Sequence, residues 1–94
     1  MPRFQLGRVV VTPGTKDIEH DLLRACLRRH AAGDWGEVSA HDRRENEVGL
    51  TREARLWSVY AIDPERPVDA DDNTLWVITE ADRSFTTIML PDEY

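Results

Sequence analysis

The stretch LWVITEADRSFTTIML, residues 75–90, decides the fold. Two runs of β-branched, aromatic and aliphatic residues flank the polar tetrad Glu80-Ala81-Asp82-Arg83. That pattern predicts strands at about 74–79 and 84–90 joined as a tight hairpin. Just upstream, RLWSVYAI (55–62) carries apolar groups on both alternation sets, as a central strand does. The intervening DPERPVDADDN (63–73) holds two prolines and five acidic side chains, too charged to pack, and reads as an exposed, mobile loop. Three consecutive antiparallel strands therefore end the chain.

The first half reads differently. FQLGRVVVT (4–12) is a β-branched run closed by the turn pair Pro13-Gly14, hence another strand. Thr15 is placed to cap a helix in which Ile18, Leu22, Ala25 and Cys26 recur on one face, widened by Leu23 and Leu27. Acidic Asp17 and Glu19 precede basic Arg28, Arg29 and His30, the order the helix dipole favours, and Gly33 supplies a stop. Ser39 and Asp42 have capping-box spacing, which predicts a second helix over about 40–48 ending near Gly49. Its residues, AHDRRENEV, are almost all polar, so it is either a solvated connector or a face shown to a partner. The order β-α-α-β-β-β places the chain in the α+β class, with two N-terminal helices packed on a three- or four-stranded antiparallel meander sheet in one domain spanning 1–94. The first strand's place in that sheet stays open.

Composition narrows the chemistry. The 94 residues hold 12 Lys and Arg against 18 Asp and Glu, a formal charge of −6 that repels nucleic-acid phosphates. Direct nucleic-acid binding is disfavoured, whereas a basic protein surface would be complemented, unless the acidity serves solubility alone. Cys26 has no disulfide partner and sits among leucines; with only His20, His30 and His41 beside it, no metal site is expected, and no cofactor motif is present. No apolar run approaches a membrane span, and the expected location is cytoplasmic. Short exposed strand edges leave monomer and homodimer both open.

Polar and aromatic residues gather in three places. HAAGDWG (30–36) compresses a helix end, two glycines, an acid and a Trp; it is either a structural knot or the setting for His30 as a general acid or base. At the hairpin, Glu80, Asp82, Arg83, Ser84, Thr86 and Thr87 form either a turn fastened by the Asp82 side chain or an anion-binding group. Alternation sends Thr86 and Thr87 to opposite faces. Trp57, Tyr60 and Trp76 on neighbouring strands read as core, and any of them left exposed would be an anchor for a protein partner.

The segment from Arg29 to Gly36, Asn46, the run Trp57-Ser58-Val59-Tyr60 and the closing WVITEADRSFTTIMLPDEY (76–94) together resemble a family of short proteins carried on bacterial plasmids, integrative elements and phages, often labelled plasmid-related proteins. The likeness covers most of the chain and is specific in the last 19 residues. It implies a mobile genetic element as the setting, but no known activity. Small acidic proteins in that setting are often anti-defence inhibitors of the anti-CRISPR or anti-restriction type, which act by binding a host nuclease complex. A looser likeness, to compact ribonuclease toxins, implies His30, Glu80, Arg83 and Thr86 as a catalytic set.

The leading expectation is a protein-binding domain. Its contact surface would combine the acidic loop at Asp69, Asp71 and Asp72, the polar helix at Arg43, Arg44, Glu45 and Glu47, and the hairpin residues Glu80, Asp82 and Arg83. The alternative is a metal-independent phosphodiester enzyme using His30 and Arg83.

Overall fold

The hairpin forms where alternation places it, as β3 (Thr74–Thr79) and β4 (Phe85–Met89), and the rest of the fold is arranged around it. The computed structural model describes residues 2–68 and 72–94. The other elements are β1 (Arg8–Val11), α1 (His20–Ala31), α2 (Ala40–Arg52) and β2 (Leu56–Ala61), with 3₁₀ turns at Pro13–Thr15 and Pro91–Glu93. Asp69 and Asp71 lie outside the described residues.

The sheet is mixed, with strand order β1-β4-β3-β2. Strands β2, β3 and β4 form the expected antiparallel meander, but β1 joins β4 in parallel, with Arg8 beside Phe85 and Val11 beside Ile88. The helices accordingly lie mid-chain, after β1, rather than at the N-terminus. The parallel direction follows from how the chain enters. Gly7, at φ 66°, rests on the hairpin turn, where a Cβ would overlap the carbonyl oxygens of Arg83 and Ser84. Arg8 N–H then bonds to Ser84 O at 3.0 Å, so β1 starts where β4 starts and runs alongside it.

The apolar stripe of α1 covers one face of the sheet, with Leu23 and Cys26 buried against Tyr60, Leu75, Val77 and Ile88. Each fully buried aliphatic side chain there contributes roughly 1.5–3 kcal/mol. The helix begins later than Thr15 suggests. Thr15 closes the 3₁₀ turn instead, its hydroxyl donating back to Thr12 O at 2.8 Å, and Glu19 takes the N-cap position without a side-chain bond.

Helix α2 starts as expected, Ser39 Oγ accepting from Asp42 N–H at 3.1 Å. It passes through Gly49 and ends at Glu53, whose φ is 53°. Gly49 is therefore a packing residue: a Cβ there would lie 3.1 Å from Leu56 Cδ2. With so little apolar surface, α2 docks through hydrogen bonds. The Asn46 carboxamide spans Trp57, donating to its carbonyl at 2.7 Å and accepting from its N–H at 3.1 Å. Beside it, Val59 N–H bonds to Trp35 O at 3.1 Å, and Glu37 N–H bonds to Val59 O at 2.7 Å. This approach requires Gly36, where a Cβ would overlap Val59 O. The outer edge of β2 is thus occupied, which explains why an edge strand carries a central strand's sequence.

Candidate functional site

The residues expected to carry chemistry are divided between the two faces of the sheet. On the α1 face, His30 is fully buried. Its Nδ1 lies 2.5 Å from Ser58 Oγ and its Nε2 2.9 Å from Thr79 Oγ1; Thr79 Oγ1 is 2.7 Å from Thr86 Oγ1, and the Thr86 hydroxyl donates to Leu6 O at 2.7 Å. The last bond orients the others. Since the Thr86 proton is used on Leu6, Thr86 accepts from Thr79, Thr79 accepts from His30 Nε2–H, and Ser58 donates to His30 Nδ1. The chain of bonds is complete only with a neutral imidazole. Burial first, and the Arg83 charge second, push the His30 pKa down to about 3.

The hairpin residues are equally engaged. Arg83, at φ 60°, directs its guanidinium at backbone carbonyls: Nη1 at Ala54 O (2.7 Å), Glu80 O (3.1 Å) and Ala81 O (3.3 Å), and Nη2 at Gly49 O (2.9 Å). It clamps the turn to the C-terminal end of α2, where a cation also suits the helix dipole. Asp82 Oδ1 accepts from Ser84 N–H at 2.9 Å, the turn bond expected of it, and Glu80 pairs with Arg55 at 3.5 Å. Of the catalytic set, His30 and Thr86 are joined through Thr79 but sealed from solvent, and Arg83 is committed to four carbonyls. His30 itself is fully buried, with both ring nitrogens bonded within the fold.

Among the described residues, the expected partner-binding side chains are spread over the fold. Asp72, ion-paired to Arg66 at 2.8 Å, lies just before β3, whereas Glu80, Asp82 and Arg83 follow its far end. Six residues of strand, at about 3.3 Å each, separate them. Glu47 is turned toward the fold, accepting from Arg3 at 2.9 Å and from the Trp35 indole at 2.9 Å, and its carboxyl is held below the usual range by those bonds. Arg43, Arg44 and Glu45 are exposed on α2. In the HAAGDWG segment, Trp35 is buried and Asp34 pairs with Arg29 at 2.7 Å, which keeps the Asp34 carboxyl low; the structural knot is the arrangement found.

What remains open is the other sheet face. Trp57 and Trp76 stand there on β2 and β3, half-buried, while Tyr60 points to the helix side and is buried. The 3₁₀ turn at Pro91–Glu93 brings Tyr94 back over the sheet, with ring centroids 5.8 Å from Trp76; Trp76 in turn meets Trp57 edge-on at 5.3 Å. Arg55 Nη1 donates to Tyr94 OH at 2.5 Å. With Ile78, these residues line a recess of about 290 Å³ that is mostly apolar. Among the described residues, the Trp57 indole N–H is the buried side-chain polar atom without a hydrogen-bond partner. A larger recess, about 430 Å³, lies under the β2–β3 connection, but its cations Arg29 and Arg66 are paired with Asp34 and Asp72.

Arg55 and Tyr94 are site residues that composition and spacing do not single out. A usable signal exists for the tryptophans: Trp57 and Tyr60 are three apart on one strand and so must face opposite ways. Among the described residues, no cluster of His, Cys, Asp and Glu could hold a metal ion, and no helix is long and apolar enough to cross a membrane. Compared with protein-family models, curated proteins and solved structures, the chain matches none.

Proposed function

We propose that this domain binds another protein through its open sheet face, with Trp76, Tyr94, Trp57 and Arg55 as the anchor. The observation that carries this reading is the aromatic recess itself. Trp, Tyr and Arg are the side chains that dominate protein-binding hot spots, and here they meet around an apolar hollow instead of closing a core. The Trp57 indole N–H on this side is left without an acceptor, an imperfection of roughly 1–3 kcal/mol that the closed face does not carry. The His30 group, by contrast, is fully satisfied from within the fold.

The resemblance to mobile-element proteins and the formal charge of −6 extend the proposal to the kind of partner: a basic subunit of a host nuclease defence complex, inhibited by occupation of its nucleic-acid-binding surface. The residues that carry the resemblance, including His30, Asn46, Thr79, Arg83 and Thr86, serve the architecture, so the likeness speaks for a shared fold more directly than for a shared target.

The test is affinity capture from a bacterial host lysate at low salt, with parallel beads carrying the double variant Arg55→Ala, Tyr94→Ala, followed by titration of the captured protein against both forms. The expected result is a nuclease subunit held by the wild type, released by high salt, and bound at least tenfold more weakly by the variant. Equal binding by both forms would remove the recess from the interface. Capture of RNA alone would favour the enzyme alternative.

A further inference from the structure

The two edges of the sheet are treated differently by the fold. At the β2 edge, the outward backbone groups of Trp57 and Val59 are all bonded, to Asn46 and to the Trp35–Glu37 segment. At the β1 edge, Arg8 and Thr12 direct their N–H groups into the sheet, to Ser84 O and Ile88 O. Alternation therefore turns the N–H and C=O groups of Val9 and Val11 outward. The side chains there are apolar, with Val9, Val10 and Val11 43%, 39% and 52% exposed. Helix α1 does not shield them, because it packs against Tyr60, Leu75, Val77 and Ile88.

We infer that the β1 edge is a homodimer interface, its occupant the β1 strand of a second copy. A two-fold axis through an edge strand pairs it antiparallel with itself. The register that uses the outward groups sets Val9 opposite Val11 of the partner subunit, and Val11 opposite the partner's Val9. These two pairs exchange four backbone hydrogen bonds around a central pair of Val10 residues. The sheets then join as one eight-stranded sheet, with both α1 helices on the same side.

Charge complementarity favours this register. It places Arg8 opposite Thr12 of the partner subunit on the open sheet face. Thr12 is where Glu93 sits, accepting from the Thr12 hydroxyl at 2.5 Å and from Gly14 N–H at 2.8 Å. Those bonds, with a third from Leu90 N–H, hold the Glu93 carboxylate in its charged form and in place. Each copy thus offers a cation at one end of β1 and a fixed anion at the other, and the antiparallel pairing brings them together twice. A parallel stack would set like charges side by side. This interface lies apart from the Trp76–Tyr94 recess, so it stands independently of the function proposed for that face.

Sedimentation equilibrium over a wide concentration range tests the inference on the full chain. The wild type is expected to pass from monomer to dimer as concentration rises. Val10→Lys sets two ammonium groups across the axis, and Val9→Pro removes an outward N–H that the β1–β4 ladder does not use. Each should stay monomeric throughout, with the wild-type circular dichroism spectrum. Arg8→Glu should weaken association at least tenfold, and Arg8→Lys should restore most of it. A wild type that remains monomeric at the highest concentration overturns the inference, as does a dimer that persists in folded Val10→Lys. Should Val9→Pro fail to fold, Val10→Lys alone decides. The Tyr94→Ala dimer should be as stable as the wild-type dimer; its loss would move the interface to the sheet face.

Discussion

The two faces of the sheet present similar chemistry to opposite ends. On the α1 face, an imidazole and three hydroxyls form a bonded series that begins at Ser58 and ends on the Leu6 carbonyl. On the other face, two indoles, a phenol and a guanidinium surround a hollow. Both gatherings look functional when residue types alone are considered. Burial separates them: the first is closed and internally satisfied, while the second is open and leaves one donor unmet.

The largest effect should come from breaking the closed face. His30→Ala removes a ring that packs edge-on against both Phe4 and Trp35 and leaves the Ser58 and Thr79 hydroxyls without their partner. A loss of about 3–5 kcal/mol in unfolding free energy is expected, combining a cavity with unsatisfied buried groups, and urea titration at neutral pH would measure it. An unchanged midpoint would mean that the imidazole does not hold the two layers together.

Acid should act on the same group. The neutral form of His30 is the one the fold accepts, with a folded pKa of about 3 against an unfolded value near 6.5. Between those values the unfolded chain binds a proton that the folded chain refuses, so stability is whole above about pH 6.5 and is lost as pH falls toward 3. The slope from this group is about 1.4 kcal/mol per pH unit, or about 3 kcal/mol by pH 4. Carboxylates held low by partners, such as Asp34 beside Arg29, add their own loss at the acid end. The His30 share is read by comparison: the acid slope of His30→Ala should be shallower than that of the wild type by that amount.

The covered β2 edge stands between the two cases. Asn46→Ala strips both hydrogen bonds from the Trp57 backbone at a site sealed by α2, with an expected cost of about 2 kcal/mol. Hydrogen exchange at Trp57 and Val59 reports it locally. Faster exchange at Trp57 with Val59 still protected would show that Asn46 and the Trp35–Glu37 segment cover the edge independently.

The particulars of these regions also show where sequence reasoning reaches and where it stops. Strands β3 and β4 and the core stripe of α1 were legible because their information is local: alternation, a turn, and a 3.6-residue period. The parallel placement of β1 was not, because it depends on Gly7 resting against a turn more than 70 residues away. Asn46 was hidden for a related reason. In a polar helix, one carboxamide that caps a strand edge looks the same as its solvated neighbours. The role of His30 rests on partners 28 and 49 residues distant, and nothing near it in the chain separates a buried hub from a catalytic base. Of the candidate site, the tryptophans could be placed by strand parity, whereas Arg55 and Tyr94 meet them only through the fold of the C-terminal turn.

The smallest stability effect belongs to the open face, and it is the sharpest test of the contrast. Tyr94 is the last residue, 68% exposed, held by Arg55 and by edge contact with Trp76. Truncating it removes little buried area, so Tyr94→Ala should change the unfolding free energy by less than about 1 kcal/mol. Its effect on partner binding should be far larger than that, because an anchor at a hot spot commonly contributes 2 kcal/mol or more. On the closed face the order should be reversed: His30, buried and bonded on both ring nitrogens, is expected to weigh on stability first. If Tyr94→Ala instead costs several kcal/mol in urea titration, the phenol belongs to the core, and the hollow beneath it is a packing gap and not a site.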